Sequence, residues 1–453
     1  MNISELHGLF AQKKVSPREW AQSVLDRVTR EAGPFHAFSY LDPEAFLAEA
    51  AKSEQRYLRG YPLSELDGVP IGLKDLIETK DMPTTAASKI LDGYRPEEDA
   101  VVVGRLRRAG ANVSLGKLNL HEFAYGTTGT SSAYGPAKNP WDPTRMAGGS
   151  SSGTAIAVQR NWVMAGLGTD TGGSIRIPAS LCGVTGIKPT YGRIPVQGVI
   201  PLAWTLDHVG PMARCAADVR LVLNALSDHP QDQASPPSWG RRYRALRPTN
   251  VGHAYRAGIE GVLDVALGEL DRAGIIEVQE GPLPGWEALQ LLQHVIIGAE
   301  ASTYHWAWLR DRAHLYQPDV RERLETRAAL LAVQYIEALR QRRRWQERYR
   351  DVWGQVDAIA LPTVPITAPP WEQAAILNEE GEVEDVRVSL VKFTAPFNVL
   401  GLPALSHPVG FDQGLPVGLQ WVTPPGRESW LLDVVERYQA ITDWHARVPP
   451  DMA

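Results

Sequence analysis

The chain has 453 residues, 44% of them apolar and 22% charged, and a formal net charge of −6. These values are typical of a globular protein and exclude a strongly basic nucleic-acid-binding chain. The sequence contains neither a secretory signal pattern nor an uncharged apolar run of about 18 residues, so we expect a cytoplasmic protein without membrane contact. Two cysteines, Cys182 and Cys215, are too few for a disulfide framework.

The N-terminal segment has the pattern of helices. Residues 2–30 are predicted to form two helices, and Ser16-Pro17 marks the start of the second, because serine caps helix N-termini and proline suits the first turn. A further helix is predicted over residues 43–58. The chain is therefore expected to begin with helices rather than strands.

From residue 68 onward, short apolar runs alternate with helical segments. Helices are predicted over 99–108 and most of 286–352, and residues 226–245, which are rich in proline and polar side chains, are predicted as a loop. The predicted strands cover residues 68–73, 111–115, 162–168, 358–361, 404–409 and 417–422. This alternation predicts an α/β fold with helices on both faces of a sheet.

Residues 340–348 form a basic run of the kind that can contact nucleic acid. Glu337, Glu347, Trp345 and Trp353 are interleaved with the arginines, as on the exposed face of an amphipathic helix. We therefore expect a solvated helix here and no nucleic-acid partner.

Ser174 follows Thr171-Gly172-Gly173, after a predicted strand. Glycines let the backbone approach a ligand closely, and successive N–H groups at the start of a helix bind anions. A carbonyl attacked by this serine would develop its negative charge beside those donors, as an oxyanion hole requires. Taken alone, the same residues also fit an ordinary Gly-Ser turn.

Ser150 lies in the run Gly149–Gly153, which matches the G-x-S-x-G pattern of a nucleophile elbow. That elbow needs an apolar strand directly upstream. The residues before the run are polar and rich in proline, so the match is interpreted as accidental. A flexible Gly/Ser linker is the other alternative, and the apolar residues after Thr154 favour a turn into a helix instead.

Lys74 ends an apolar predicted strand, where burial would lower its pKa from the usual value of about 10.4. A neutral lysine accepts a proton from a serine hydroxyl and makes the serine nucleophilic without histidine. For this residue alone, an ion pair with Asp75 is the ordinary alternative. Lys74, Ser150 and Ser174 together have the residue types of a Ser-Ser-Lys relay for amide hydrolysis.

Two nucleotide-binding motifs and the zincin metal-binding motif are not matched by the sequence. The glycines between 166 and 172 do not have the spacing of a dinucleotide-binding fingerprint, and no Lys-Ser/Thr pair follows them as in a P-loop. His121-Glu122 lacks the second histidine of a zincin helix, and the eleven histidines are scattered. We therefore expect neither a cofactor nor a metal.

Several segments resemble the motifs of the amidase signature family almost residue by residue. The resemblance is carried by residues 148–151, 168–179, 182–193, 206–211 and 398–404. It implies one amidase domain over residues 1–453, with an α/β fold in which a single large domain has a mixed β-sheet sandwiched between α-helices. The signature core would cover about 65–220 and 355–425, and a variable helical region on the substrate side would cover about 225–350.

The resemblance also implies the roles of the site residues. Ser174 would be the nucleophile, Ser150 the bridging serine after a cis peptide bond to Gly149, and Lys74 the base. The implied oxyanion hole consists of the backbone N–H groups of Thr171, Gly172, Gly173 and Ser174. The implied substrate-binding loop consists of Tyr125, Gly126, Thr127 and Thr128. Aromatic candidates for the cavity entrance, with core packing as their alternative, are Trp306, Trp308, Tyr316 and Tyr335.

We therefore predict an amidohydrolase that cleaves the C–N bond of a small amide, such as an aryl amide or a carbamate (urethane), through an acyl-enzyme on Ser174. Its partner would be the small-molecule substrate, and the protein would be a monomer or homodimer. The alternative is the glutaminase (A) subunit of a glutamyl-tRNA amidotransferase, which needs an acid for the ammonium of glutamine; residues 388–392 contain no carboxylate. A catalytically inactive binding module with the same fold is the second alternative.

Overall fold

A computed structural model of the chain describes residues 1–228, 242–251, 257–377 and 381–452. Its α-helices are α1 (Ile3–Ala11), α2 (Pro17–Glu31), α3 (Pro43–Leu58), α4 (Val101–Arg108), α5 (Ser152–Gln159), α6 (Arg176–Cys182), α7 (Ala216–Leu226), α8 (Ala257–Arg272), α9 (Trp286–Asp311), α10 (Pro318–Arg327), α11 (Ala332–Gln355), α12 (Val386–Val391), α13 (Ala395–Val399) and α14 (Glu428–Gln439). Its strands are β1 (Phe38–Leu41), β2 (Ile71–Lys74), β3 (Gly116–Leu118), β4 (Ala165–Thr169), β5 (Thr185–Lys188), β6 (Val209–Ala213), β7 (Tyr243–Pro248), β8 (Ile276–Gly281), β9 (Ala358–Pro362), β10 (Ala375–Leu377), β11 (Val383–Asp385), β12 (Ala404–Asp412) and β13 (Leu415–Val422).

Eleven strands of the described residues form one mixed sheet in the spatial order β1-β3-β2-β4-β6-β5-β12-β13-β9-β7-β8. Strand β2 runs parallel to both β3 and β4, and β7 runs parallel to both β8 and β9. Between these parallel groups, β12 and β13 form a long antiparallel hairpin. The mixed sheet and its covering helices confirm the predicted α/β single-domain fold.

The sheet separates two apolar cores. Ala165 and Leu167 of β4 belong to the core that contains α7. Alternate residues of a strand face opposite sides of a sheet, so Gly166 faces the other core. On the other face, a Cβ placed on Gly166 would meet the Thr154 side chain of α5 at 2.6 Å. The small residue on this face therefore lets α5 pack directly on the strand that leads to Ser174.

Most predicted elements are found, with shifts of a few residues at their ends. Ser16 caps α2 by accepting a hydrogen bond from the N–H of Glu19, and Pro17 begins the helix, as predicted. The predicted helix at 43–58 is α3, and the helical region 286–352 contains α9, α10 and α11.

Two predictions of local structure were wrong. Residues 111–115 form no ladder, because Asn112 makes only an isolated bridge with Pro70. The strand begins just after them as β3 (Gly116–Leu118), which pairs with both β1 and β2. The predicted loop at 226–245 overlaps β7, because the backbone from Tyr243 onward pairs with β8 and β9. Residues 229–241 of that loop lie outside the described residues.

The basic run at 340–348 lies on α11 and is mostly solvated, as predicted. Arg340 pairs with Glu337, and both are exposed. Arg342 differs, because it is buried and its Nε donates a hydrogen bond to the carbonyl of Val399 (2.7 Å). Among the helices of the described residues, none combines the length and the apolar character that crossing a bilayer requires.

Candidate active site

Lys74 is the last residue of β2, and its side chain is buried. Its Nζ lies 2.7 Å from the hydroxyl of Ser150 and 2.8 Å from that of Thr169. Thr169 ends β4, the parallel neighbour of β2, so the carboxyl ends of both strands meet here. Asp75, the alternative partner considered from the sequence, instead accepts a hydrogen bond from the hydroxyl of Thr85.

Burial lowers the pKa of Lys74 to about 7, although the negative charges of Asp170 and Asp207 oppose the shift. A lysine with this pKa is partly neutral near pH 7, whereas an exposed lysine with a pKa of about 10.4 is charged. The amine can therefore accept a proton from a hydroxyl that it contacts, which is the requirement for a general base.

The backbone holds Ser150 from both sides. The Gly149–Ser150 peptide bond is cis, as the family resemblance implied. The Ser150 carbonyl accepts a hydrogen bond from the N–H of His121 (3.1 Å), and the N–H of Ser151 donates to the carbonyl of Ser174 (3.1 Å). The segments that carry the two predicted relay serines are thus hydrogen-bonded directly to each other.

Ser174 lies in the turn between β4 and α6, which Asp170 organises. The Asp170 carboxylate accepts hydrogen bonds from the N–H groups of Gly173 (2.8 Å) and Ile175 (3.2 Å). Arg176 donates to both of its oxygens (3.0 and 2.9 Å), and both side chains are fully buried. Burial alone would raise the pKa of Asp170, but the charge of Arg176 holds that pKa well below its usual range, so the carboxylate is charged.

Replacing Arg176 with methionine is expected to destabilise the protein, because the variant leaves the charge of Asp170 buried without its partner. Breaking such a pair costs about 3–5 kcal/mol, which chemical denaturation would measure as a lower free energy of unfolding. The control is Arg321→Gln, which removes an exposed ion pair with Glu325 and should cost less than about 1 kcal/mol. Equal losses in the two variants would contradict this role of Arg176.

The backbone N–H groups around Ser174 differ in their availability. The N–H of Gly173 is bonded to Asp170, so the prediction that it serves an oxyanion hole was wrong. The N–H groups of Thr171, Gly172 and Ser174 have no acceptor in the described part of the chain. These groups remain available to a negatively charged oxygen beside the serine.

The side chains of Asp207 and Thr394, which were not among the predicted site residues, hold this turn in place. The hydroxyl of Thr171 donates to Asp207 (2.6 Å), whose pKa burial raises to about 7. The hydroxyl of Thr394 donates to the carbonyl of Gly172 (2.5 Å). Gly173 has a φ of +135°, and a Cβ there would lie 2.1 Å from the Thr394 hydroxyl, so this position requires glycine.

A cavity of about 240 Å³ lies beside Ser174. Predicted site residues line it at one end: Tyr125, Gly126, Thr127, Thr171, Gly172 and Ser174. Thr128 is an exception and corrects the prediction. Its hydroxyl lies 2.9 Å from that of Thr130, and both residues line a separate cavity with Trp371. The loop at 125–127 therefore contributes to the wall next to Ser174, and Thr128 does not.

The four aromatic residues predicted at the entrance do not line this cavity. Trp306 and Tyr335 line a second, neighbouring cavity. The rings of Trp308 and Tyr316 each lie 5.8 Å from that of Phe123, so core packing, the alternative for these two residues, is confirmed. For Trp306 and Trp308 this follows from the orientation of α9, which presents the earlier residues Gln293, His294 and Ile297 to the cavity.

Most of the remaining wall residues lie on α9, α10 and α12. The full set is Ala124, Leu202, Gln293, His294, Ile297, Arg323, Arg327, Asp385, Arg387, Val388 and Val391. Val388 and Val391 make the α12 wall apolar, in the segment where the glutaminase alternative requires an acid. The three arginines could not be identified from the sequence, because nothing in their local sequence distinguishes a wall residue from a solvated one.

Comparisons with known proteins identify the family of the chain. The chain matches the Amidase family model over residues 19–432. It is 38% identical to the A subunit of the glutamyl-tRNA(Gln) amidotransferase of Chloroflexus aggregans, over 100% of this chain and 98% of that protein. Among solved structures, a crystal structure of an amidase has a TM-score of 0.90 and 33% identity, over 97% of this chain and 100% of that one.

A second solved structure, the peptide amidase of Stenotrophomonas maltophilia, has a TM-score of 0.82 and 29% identity, over 99% of this chain and 98% of that one. These similarities extend over nearly the whole chain and confirm the resemblance seen in its motifs. They also disfavour the hypothesis of an inactive binding module. The chain therefore belongs to the amidase family and is an amidase-signature enzyme that acts on the carbon–nitrogen bonds of amides.

Proposed function

We propose that this enzyme hydrolyses small amides through an acyl-enzyme on Ser174, with Ser150 as the bridging serine and Lys74 as the base. The observation that carries the proposal is the contact of 2.7 Å between the buried amine of Lys74 and the Ser150 hydroxyl. Few roles other than proton transfer explain a lysine that is buried with two hydroxyls as its hydrogen-bond partners and whose pKa lies near neutrality.

In the proposed first half-reaction, Lys74 takes the Ser150 proton while Ser150 takes the Ser174 proton. The Ser174 oxygen bonds to the amide carbon, and the carbonyl oxygen becomes an oxyanion. The N–H groups of Thr171, Gly172 and Ser174 would stabilise that charge. Ser150 then passes a proton to the amide nitrogen and recovers one from Lys74, the C–N bond breaks, and the departing amine leaves an ester on Ser174.

In the proposed second half-reaction, water attacks the ester carbon. Ser150 takes a proton from the water and passes its own proton to Lys74. As the C–O bond breaks, Ser150 donates a proton to the Ser174 oxygen and recovers one from Lys74. A carboxylic acid is released and the enzyme returns to its starting state. The same attack on the carbonyl of a carbamate would make urethanes substrates as well.

The size of the cavity supports a small substrate. A volume of about 240 Å³ beside Ser174 is at or below the lower end of ligand-binding cavities in general, which hold roughly 300–1,000 Å³. Apolar wall residues such as Ile297, Val388 and Val391 suit the carbon chain or ring of an acyl group. This supports alkyl and aryl amides as the substrate class.

The second candidate is the glutaminase (A) subunit of a glutamyl-tRNA amidotransferase. The identity of 38% along the whole chain to the A subunit from Chloroflexus aggregans favours this candidate over a free amidase. The cavity wall opposes it, because the α12 side is apolar and the cavity carboxylate, Asp385, is already paired with Arg387 through two nitrogens (3.0 and 2.5 Å). Among the described residues that line the cavity, the ammonium of glutamine would then have no free acid to bind.

Assays of the purified chain alone would separate the two candidates. The panel comprises an aryl amide, an aliphatic amide, a carbamate, glutamine and a urea, with ammonia or amine release as the readout and Ser174→Ala as the blank. We expect a small amide without an ammonium group to give the highest kcat/KM. Preference for glutamine, with a further rise when partner subunits and charged tRNA are added, would establish the glutaminase function instead.

Other predictions from the sequence stay predictions. They are a cytoplasmic location, a monomer or homodimer, no nucleic-acid partner and no cofactor. Within the described ranges, no three His, Cys, Asp or Glu side chains are grouped so that they could hold a metal ion. The proposed relay moves protons through amine and hydroxyl groups and gives no step to a metal.

A further inference from the structure

The charged residues of the cavity beside Ser174 are unbalanced. Among the described residues, three arginines line it, Arg323, Arg327 and Arg387, together with one carboxylate, Asp385. Arginine stays protonated at every working pH, so the wall carries a permanent positive charge. A cavity of this kind attracts anions and repels cations, and the effect is stronger than in bulk water because protein surrounds the site.

Two of these arginines already have carboxylate partners. Arg387 forms a bidentate pair with Asp385. Arg323 donates to Asp319 (2.6 Å), and its guanidinium lies 4.9 Å from the centre of the Tyr125 ring. Neither group therefore has its full charge available for a ligand.

Arg327 is different. It is the last residue of α10, it is partly buried, and in the described part of the chain no carboxylate lies within ion-pair distance of it. Burial raises the pKa of Tyr125, while the positive charges of Arg323 and Arg327 oppose that rise, which indicates that both guanidinium groups act on this end of the cavity. Arg327 is thus the uncompensated cation of the wall.

The stem of Arg327 is held against α9 at Gly298. A Cβ placed on Gly298 would lie 2.9 Å from Cδ, 3.0 Å from Cγ and 3.1 Å from Cβ of Arg327. Those atoms are close to the backbone of Arg327 and have little freedom to move away. The absence of a side chain at position 298 therefore makes room for this arginine to reach the cavity.

We propose that the preferred substrate is an amide whose acyl group carries a carboxylate, which Arg327 binds while Ser174 attacks the amide carbon. This inference rests on the proposed hydrolytic function of the same cavity. A guanidinium binds a carboxylate through two parallel hydrogen bonds, so it selects for this group in both charge and shape. Hydrolysis of such a monoamide consumes one water and yields ammonia and a dicarboxylate, and Arg327 takes no part in the bond changes.

The inference is tested with pairs of amides of equal length. Malonamate, succinamate and glutaramate carry the carboxylate, and propionamide, butyramide and valeramide carry a methyl group in its place. For the best-fitting length, we expect kcat/KM to be roughly ten- to a hundredfold higher for the carboxylate member, the range for one hydrogen-bonded charge. Glutamine, which adds an ammonium to glutaramate, should be the poorer substrate of those two.

Two variants assign the preference to Arg327. In Arg327→Met, which keeps the apolar stem, the ratio of the charged to the uncharged substrate should fall to about one. Gly298→Ala keeps the charge but crowds the stem, and it should lower the same ratio. The control is Arg321→Gln, on the exposed side of α10, which removes the same formal charge and should keep the wild-type ratio.

A binding measurement keeps the test independent of turnover. Calorimetry on Ser174→Ala should show that glutaramate or succinamate binds at least about tenfold more tightly than its methyl analogue, and that added Arg327→Met removes the difference. Equal binding and equal kcat/KM within every pair, or an unchanged ratio in Arg327→Met, would overturn the inference. If carboxylate amides bind in this way but no amide is hydrolysed, the proposed function fails and the anion site stands.

Discussion

Replacing Ser174 with alanine is expected to lower kcat for any accepted amide by roughly 10⁴- to 10⁶-fold, the range seen when the nucleophile of a catalytic serine relay is removed. The neighbouring Ser150 is not expected to form the acyl-enzyme in its place, because Ser150 is fully buried and does not line the cavity beside Ser174. Residual turnover would come from the oxyanion donors acting on water.

Steady-state kinetics on folded protein would measure this loss. The matched control is Ser180→Ala, since Ser180 is also buried, lies on α6 just beyond Ser174, and has a hydroxyl without a hydrogen-bond partner in the described structure. This control should retain wild-type kcat. A fluorophosphonate should label wild type and not Ser174→Ala, as mass spectrometry of the intact protein would show. Near-normal turnover in Ser174→Ala would rule out the proposed nucleophile.

Replacing Lys74 with methionine should lower kcat by several orders of magnitude and remove the acid limb of the pH–rate profile. In the wild type, the base is the neutral amine, and the pKa of Lys74 is lowered to about 7 by burial. As the pH falls through that value the amine becomes protonated and activity is lost; as the pH rises, activity increases to a plateau. Methionine fills a similar volume but accepts no proton.

The pH dependence of kcat over about pH 5 to 9 is the measurement. Lys117→Met is the matched control, because Lys117 is another buried lysine, on the adjacent strand β3, and burial also lowers its pKa, to about 8. It contacts the Ile77 carbonyl and the Thr84 hydroxyl instead of Ser150. The acid limb should persist in the folded fraction of this control. An acid limb of unchanged midpoint in Lys74→Met would show that another group is the base.

The relay residues could be proposed from the sequence because each lies in a short segment whose neighbours limit what it can do. The glycines before Ser174, the Gly/Ser run around Ser150 and the apolar strand ending in Lys74 are local patterns. The order of residues along the chain is sufficient to recognise them. The pairing of β2 with β4 brings Lys74 to Thr169. Ser150 reaches the Lys74 amine from the turn before α5, the helix that packs on β4.

Errors arose where the outcome depended on partners that the local pattern does not specify. The Gly173 N–H was predicted as an oxyanion donor, but the Asp170 carboxylate takes it. Residues 111–115 have the composition of a strand, yet the ladder with β1 and β2 forms at β3. In the first case the local pattern did not specify the acceptor of the Gly173 N–H. In the second it did not specify which residues pair with β1 and β2. Tertiary packing decided both.

The amino-acid sequence by itself determined the family, the α/β fold and the chemical groups of the proposed relay, because motif spacing and apolar periodicity are properties of contiguous segments. Only the tertiary structure decided which side chains surround Ser174. Much of the cavity wall comes from α9 and α10, which lie outside the signature core in the chain and are brought to Ser174 by helix packing. The charge that a substrate meets at Arg327 is therefore a property of the folded protein and not of any local motif.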